Sequence, residues 1–405
     1  METRLNLASK RLGASVMATT DEHFGAAEHL VKDSESVAPD RSRPGPRGTV
    51  YDGWETRRHT PEEEWALVRL GAPGIVHEVI ADTAHFHGNV PVAVELESFA
   101  VDGYPTSDEV LNSPRRTLVS RSACGPDQYN VLPSEDGLIA THLLLRLLPD
   151  GGVSRLRAYG EVVLDPRRVR PSMDLASVPA GGHVVSSSTA FMPPTNVLMP
   201  RTAASIGEGW ETGRRRGAGH DEIVIGLADV ACLSAIEIDT THFGGNAADA
   251  FSAEYLPEGA SGDVESEWRP LMPRTRLLSD QRHAFPITEY VEAARVRVRI
   301  HPDGGISAVR LFGDLVPRVR GRVIRRWLAA LPEPFVRGLA RSAELSAHGS
   351  DLLAGRGVED RGAVLLDVEA AAHLDGLTGD DADRFDRLFY RPAASWAGVG
   401  QGARP

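Results

Sequence analysis

Apolar and polar residues alternate singly along several stretches of the 405-residue chain. Val296, Val298 and Ile300 alternate with Arg295, Arg297 and Arg299, a period of two that predicts a strand in a sheet with one wet face. Leu143–Leu148 is an almost unbroken apolar run. Pro149-Asp150-Gly151-Gly152 and then Val153–Tyr159 follow it, which predicts strand, tight turn, strand. Val79 and Ala81, like Ile236 and Ile238, step in twos toward a core. No glycine-rich loop opens a helix, and no strand–helix–strand rhythm is present. The fold class read from this pattern is all-β: two tandem antiparallel sandwiches of jelly-roll type. Between residues 321 and 345 the period changes. Ile324, Trp327, Leu328, Leu331, Phe335 and Leu339 recur near helical spacing, broken at Pro332 and Pro334. Residues 320–405 therefore read as a C-terminal appendage, partly helical, with a loose end rich in Gly, Ala and Asp.

The sandwiches are two because the sequence repeats itself. Asp52-Gly-Trp-Glu-Thr-Arg-Arg58 returns as Glu208-Gly-Trp-Glu-Thr-Gly-Arg214, and Val79–Asn89 returns as Ile236–Asn246. Trp54 and Trp210 are 156 residues apart, and His85 and His242 are 157 apart, so order and spacing are both kept. Leu7-Ala8 answers Leu175-Ala176, and Pro149–Gly152 answers Pro302–Gly305. The first unit is read as residues 5–168 and the second as 174–317, joined by a linker containing Pro166, Pro171, Pro179, Gly181 and Gly182.

Composition adds exclusions. With 41% apolar and 25% charged residues the chain has the make-up of a water-soluble globular protein. No apolar run approaches the ~18 residues of a membrane span, and the first residues lack the pattern of a signal peptide. A net charge of −12 disfavours a general nucleic-acid binder. Lys occurs only at Lys10 and Lys32, so almost all basic groups are guanidinium, suited to gripping carboxylates in a fork. Cys124 and Cys232, at non-equivalent places in the repeats, read as reduced thiols of a cytoplasmic protein.

What the duplication keeps, beyond Gly and Trp, is Glu, Asp, His, Asn and Arg. Gly53 and Trp54 are explained by a turn and a core aromatic. Glu55, Arg57 and Arg58 fit either a solvated salt-bridge cluster or a proton-transferring carboxylate beside an anion clamp. Asp82 and His85 fit either a hydrogen bond that pins a loop or an acid/base pair at the end of the sandwich, where loops gather. His85 and His87 have a spacing that can bind a metal, and with Asp82 a hard divalent ion is conceivable, although Gly244 replaces the second His in the copy. The two units also differ where each begins: Asp21, Glu22 and His23 become Ser188, Thr189 and Ala190, and Arg57 becomes Gly213 while Arg214 matches Arg58.

Together these phrases resemble the allantoicase family, ureide hydrolases of purine breakdown. The residues that carry the resemblance are Asn6-Leu7-Ala8, Asp21 to Phe24, Gly53 to Arg58, Asp82 to Asn89 and Pro149 to Gly152, repeated in order and spanning about residues 5–317. The resemblance implies two jelly-roll sandwiches related to galactose-binding-type domains. It also implies hydrolysis of allantoate to ureidoglycolate and urea. On that reading Glu55 or Asp82 activates water and His85 protonates the departing urea nitrogen. Arg57 and Arg58 fork the carboxylate, Asn89 holds a ureido group, and Asp21 and His23 line the substrate. Glu211, Arg214, Asp239, His242 and Asn246 are the second unit's counterparts. A divalent ion, Mn²⁺ or Mg²⁺, is compatible with this chemistry, with no ligand set assigned. The expected partner is the small-molecule substrate allantoate, with neither nucleic acid nor membrane, in a cytoplasmic homo-oligomer. The first unit, which keeps the acidic approach segment and both Arg, is expected to dominate. The rival reading is a diverged jelly-roll module that binds a small polar ligand without chemistry. The duplicated titratable residues favour catalysis.

Overall fold

The computed structural model describes residues 5–59, 63–354, 377 and 379–389. One 19-residue strand organises each unit: Glu64–Asp82 in the first, Asp221–Asp239 in the second. Glu64–Arg69 lies between Ser15–Thr19 and Ile139–Leu148, whereas Glu78–Asp82 lies between Arg155–Val162 and Tyr129–Pro133. A single strand therefore serves both layers of the sandwich. It bends across Gly71-Ala72-Pro73-Gly74, where the ladder with Ile139–Leu148 loses register. The second unit repeats the plan. Asp221–Gly226 pairs with His183–Ser187 and Glu292–His301, and Ala235–Asp239 pairs with Ala308–Leu315 and Arg282–Pro286. All these pairings are antiparallel, and the two mostly-β units match the class read from the alternation.

Side chains spaced by two fill the interior: Val79, Ala81, Leu143, Leu145 and Leu156 in one unit, Ile236, Ile238, Val296, Val298 and Ile300 in the other. The two interiors are continuous with each other, and Leu164 near the end of the first unit and Leu175 and Val178 at the start of the second are buried in them. Trp54 and Trp210 are fully buried at matched positions, each opening a two-residue strand that pairs with Gly152-Val153 or Gly305-Ile306. The second Gly of each Pro-Asp-Gly-Gly turn is required by this packing. A Cβ there would lie 2.2 Å from the Phe86 ring in the first unit and 2.0 Å from the Phe243 ring in the second.

The wet face expected for the arginine row is only partly wet, with Arg295 and Arg299 half-buried. Arg297 is buried: its guanidinium lies 4.4 Å from the Trp268 ring centroid and bonds Glu254 and Glu265. Arg299 joins the same carboxylates and Glu222. Alternation reported the charged side correctly, but the neighbouring strand and loop supply enough acid to cover it.

The C-terminal region is helical where the spacing indicated, with Arg320–Ala330 and Glu333–Ser342 separated at Leu331-Pro332. Pro334 does not break a helix. It occupies the first turn of the second one, where a missing N–H costs nothing. Ala347–Ala354 and Asp380–Phe389 follow. Ile324, Trp327, Leu331, Val336 and Leu339 pack on Ile75, Ile139 and Val163 of the first sandwich. From the same helix Arg322 reaches Asp229 and Glu258 of the second, the latter at 3.0 Å. The loose end expected near residue 405 lies outside the described residues.

Candidate active site

Loops converge at the end of each sandwich where the long strand stops. Asp82 ends that strand by accepting a hydrogen bond from the backbone N–H of Ala84 at 2.8 Å, an Asx turn that redirects the chain. Asp239 does the same with Thr241, also at 2.8 Å. The next residue is His85 or His242, and each has a left-handed backbone, with φ of 71° and 74°. A histidine at positive φ is uncommon, and finding it twice at one position marks a turn that the surroundings enforce. Enforcement comes from two sides. Asp127 accepts the His85 backbone N–H at 2.6 Å and Asp280 that of His242 at 2.8 Å. Ser154 donates its hydroxyl to the Ala84 carbonyl, as Ser307 does to Thr241. Each imidazole then points at a backbone carbonyl: His85 Nε2 is 3.2 Å from Ser36 O, and His242 Nε2 is 2.9 Å from Ala203 O.

Four residues beyond the histidine stands Asn89, whose backbone carbonyl accepts from Gly152 N at 2.7 Å. Gly152 pairs with Glu55 across the short ribbon, so the ribbon carries Glu55 and Asn89 to the same place. Asn89 Nδ2 donates to Glu55 Oε1 at 2.6 Å, and Asn246 Nδ2 donates to Glu211 Oε1 at 2.7 Å. Glu55 is only 7% exposed. Burial raises its carboxyl above the ordinary range, opposed in part by the Asn89 hydrogen bond and the charge of Arg58. This is the pattern of a general base: a carboxylate poised by desolvation and aimed by one amide.

Asp21 and Arg57 have a different task. The Asp21 carboxylate accepts from Arg57 Nε at 2.9 Å, Arg57 N at 2.7 Å and His23 N at 3.2 Å. Its backbone carbonyl takes the Trp54 indole N–H at 2.8 Å. Asp21 therefore tethers the approach segment to the ribbon, and Arg57 is committed to it. Of the expected arginine fork only Arg58 is exposed and, among the described residues, without a carboxylate in hydrogen-bond contact, with exposed Arg214 its counterpart. His23 is half-buried, its ring edge-on to Phe24 at 4.7 Å and its carbonyl held by Arg47.

The structure does not bring Asp82 and His85 together as an acid/base pair. Asp82 is 1% exposed, its carboxylate faces its own turn, and burial raises it above the ordinary range. The His85 ring bonds the Ser36 carbonyl and not the Asp82 carboxylate. Nor do His85, His87 and Asp82 make a metal site. His87 is exposed, and among the described residues no three His, Cys, Asp or Glu side chains are grouped to hold an ion. The described residues of this site do not fit a Mn²⁺ or Mg²⁺ ion. In the second unit Asp239 is buried in the matching turn and lies 3.9 Å from Arg282. Sequence reasoning missed the two aspartates that hold the histidine backbone, although Asp127-Gln128 and Asp280-Gln281 are themselves a repeated phrase. It also missed Arg155.

The allantoicase repeat, as a sequence family, matches residues 5–163 and 173–316. A protein of Streptomyces coelicolor named probable allantoicase is 41% identical over 337 residues, covering 79% of this chain and 88% of its own. The allantoicase of Dictyostelium discoideum is 34% identical over 316 residues, covering 75% and 85%. The crystal structure of the Saccharomyces cerevisiae allantoicase superposes with a TM-score of 0.64 at 29% identity, covering 76% of this chain and 93% of that one. With both repeats matched in order, and the Trp–Glu ribbon and histidine turn present in each, the chain belongs to the allantoicase family.

Proposed function

We infer that the protein hydrolyses allantoate to ureidoglycolate and urea, a step of allantoin degradation, and that the first unit's loop cluster is its centre. The observation that carries this reading is the buried Glu55 held by Asn89 beside an exposed Arg58. Allantoate has one carbon bearing a carboxylate and two ureido arms. Arg58 suits the carboxylate. Asn89 spends one amide N–H on Glu55, and an amide has a second N–H and a carbonyl to offer a ureido arm. Glu55 takes a proton from water, the water oxygen bonds the central carbon, and the carbon–nitrogen bond to one arm breaks. His85, in its imidazolium form, gives the Nδ1 proton to the departing nitrogen, which leaves as urea, and exchange with solvent resets both groups. Asp82, Asp127 and Asp21 shape this centre without touching the reacting atoms.

Among the described residues no helix is long and apolar enough to cross a membrane. Both cysteines are unpaired, which suits a reducing compartment, and a cytoplasmic location is part of the same reading. A homo-oligomer is part of it too: Tyr129–Pro133 and Arg282–Pro286 each pair on one side only and leave an open strand edge. The test of the function is urea release from allantoate, with allantoin as the control. Folded protein that releases urea from neither, with and without added Mn²⁺ or Mg²⁺, removes the reading in favour of a binding module.

A further inference from the structure

The stretch between the first short helical turn and the Trp–Glu ribbon is 22 residues in the first unit (32–53) and 11 in the second (199–209). Two buried side chains tie the extra length down: Arg157 holds its start, donating to Lys32 O, to Asp33 O at 3.4 Å and to Ser34 O at 3.3 Å, and Arg155 holds it further along. Arg155 is fully buried, and all five of its N–H groups are used. Nε donates to Ser34 O at 2.9 Å, Nη1 to Asp52 O and Ser154 O at 2.7 Å each, and Nη2 to Glu35 O at 3.2 Å and Asp52 Oδ2 at 2.6 Å. Four of these five bonds reach the strap 34–35 or Asp52, the residue at its far end. Asp52 in turn accepts from Val37 N at 3.2 Å and, through its carbonyl, from the Ser36 hydroxyl at 3.1 Å. Tyr129 closes the outer side by donating to Glu35 at 2.9 Å. The residue in this network that touches the site is Ser36, whose carbonyl faces His85 Nε2.

A carbonyl oxygen only accepts, so it selects the imidazole form with hydrogen on Nε2. We propose that Arg155 is a positioning residue for His85: by fixing the part of the strap next to Ser36 it holds the Ser36 carbonyl on Nε2–H and leaves Nδ1 as the one ring atom that takes up a proton and passes it to substrate. The second unit meets the same constraint by other means. Ala308 stands where Arg155 does, the loop is short, and Ala203 O takes His242 Nε2. There Glu208, the counterpart of Asp52, is gripped by Arg11 from the first unit. Arg11 lies 3.5 Å from the Glu208 carboxylate and donates to its carbonyl at 2.9 Å. The two loops share one anchor, Arg157 in the first unit and Arg310, which donates to Val197 O and to Met199 O at 2.7 Å, in the second; their further arginine anchors come from different places, yet both present a carbonyl to the same ring nitrogen. Backbone closure alone has no need of that coincidence. A long loop without a buried anchor would sample many positions and release the ring.

The inference rests on the reading of His85 as the proton donor, yet it has a readout independent of activity. Ring nitrogens of ¹⁵N-histidine-labelled protein, assigned with His85→Gln, report which nitrogen carries the hydrogen. The expected result is the Nε2–H form in the native protein and a mixed population in Arg155→Lys. In that variant kcat falls between about 10- and 10²-fold, the scale of a misplaced reacting group, while KM changes much less. Should Arg155→Lys fail to fold, the surface pair Glu35→Gln with Tyr129→Phe loosens the same strap and is expected to shift the ring signals in the same direction, by less. A native Nδ1–H form, or ring signals unmoved in a folded strap variant, overturns the proposal. If allantoate gives no urea but the ring behaves as stated, the substrate reading fails and this one stands.

Discussion

In the first unit Asp21 accepts from Arg57 twice and from His23, while in the second the ends of that ion pair are Ser188 and Gly213. Both partners are missing together. Losing one alone would leave a buried carboxylate, or the donors around it, without a partner, which costs more than losing both. The second unit shows what remains: the Trp210 indole N–H, whose counterpart bonds Asp21, is buried with no partner. Phe191, the counterpart of Phe24, is 74% exposed. Against this loosening, the Glu–Asn pair, the Asx turn, the left-handed histidine and its carbonyl are unchanged. The comparison separates tethers, which drift in pairs, from the centre, which does not.

Glu55→Gln breaks the comparison most sharply. It keeps an acceptor for Asn89 but removes the base, so turnover should fall by at least ~10²-fold, the low end for general base catalysis. Glu211→Gln should cost clearly less. Equal losses in steady-state urea release would mean that both units contribute to turnover. Stability should not fall with activity, because Glu55→Gln removes a buried charge and keeps its hydrogen bond. In the native enzyme kcat/KM should decline as pH drops through the Glu55 pKa, which lies above the usual carboxylate range, and Glu55→Gln should abolish that limb.

Next in size is an acid sensitivity carried by one buried histidine of the first sandwich. His142 is 2% exposed, its Nε2 has no partner, and burial, aided by the charge of Arg69, pushes its pKa down to about 4. In the unfolded chain a histidine titrates near ~6.5. A depressed folded pKa contributes stability that is present above the unfolded pKa and lost as pH falls from ~6.5 toward the folded value, roughly 2 kcal/mol by pH 5. The second unit has Arg295 at this position. Urea denaturation at pH 7.5 and pH 5 should show the loss in native protein and a flattened dependence in His142→Gln. An undiminished loss in that variant would move the cause elsewhere.

The smallest effect grafts the second unit's tether onto the first. Asp21→Ser should destabilise by about 1–3 kcal/mol through unpaired donors, and adding Arg57→Gly should cost little more or recover part. Strict additivity in the double-mutant cycle would show that the two residues do not act as one tether.

The sequence made the duplication, the sandwich class and the helix break at Pro332 legible, because each rests on local periodicity or on a repeated phrase. It also named Glu55 and Asn89, but not as a pair: they are 34 residues apart and meet only through the ribbon and the Pro-Asp-Gly-Gly turn. The expected Asp82–His85 pair failed for a local reason. The Asx turn uses the carboxylate on the backbone, and the His85 ring is taken up by the Ser36 carbonyl, neither of which spacing reports. Arg155 looked like one of several charged residues on a strand, and its burial depends on a loop more than a hundred residues earlier.

The helix Arg320–Ala330 bears on how the protein is made. Its Ile324 and Trp327 cover Ile75, Ile139 and Val163, an apolar face of the first sandwich completed by the last part of the chain. During synthesis at ~5–20 residues per second, the 161 residues separating Val163 from Ile324 impose a wait of roughly 8–30 s. For that time the first sandwich has its strands but not its cover, and the nascent chain carries a sticky surface in need of protection. Arg322, which reaches Asp229 and Glu258, joins the second sandwich to the same event, so the fold closes over the repeats only after both have been made.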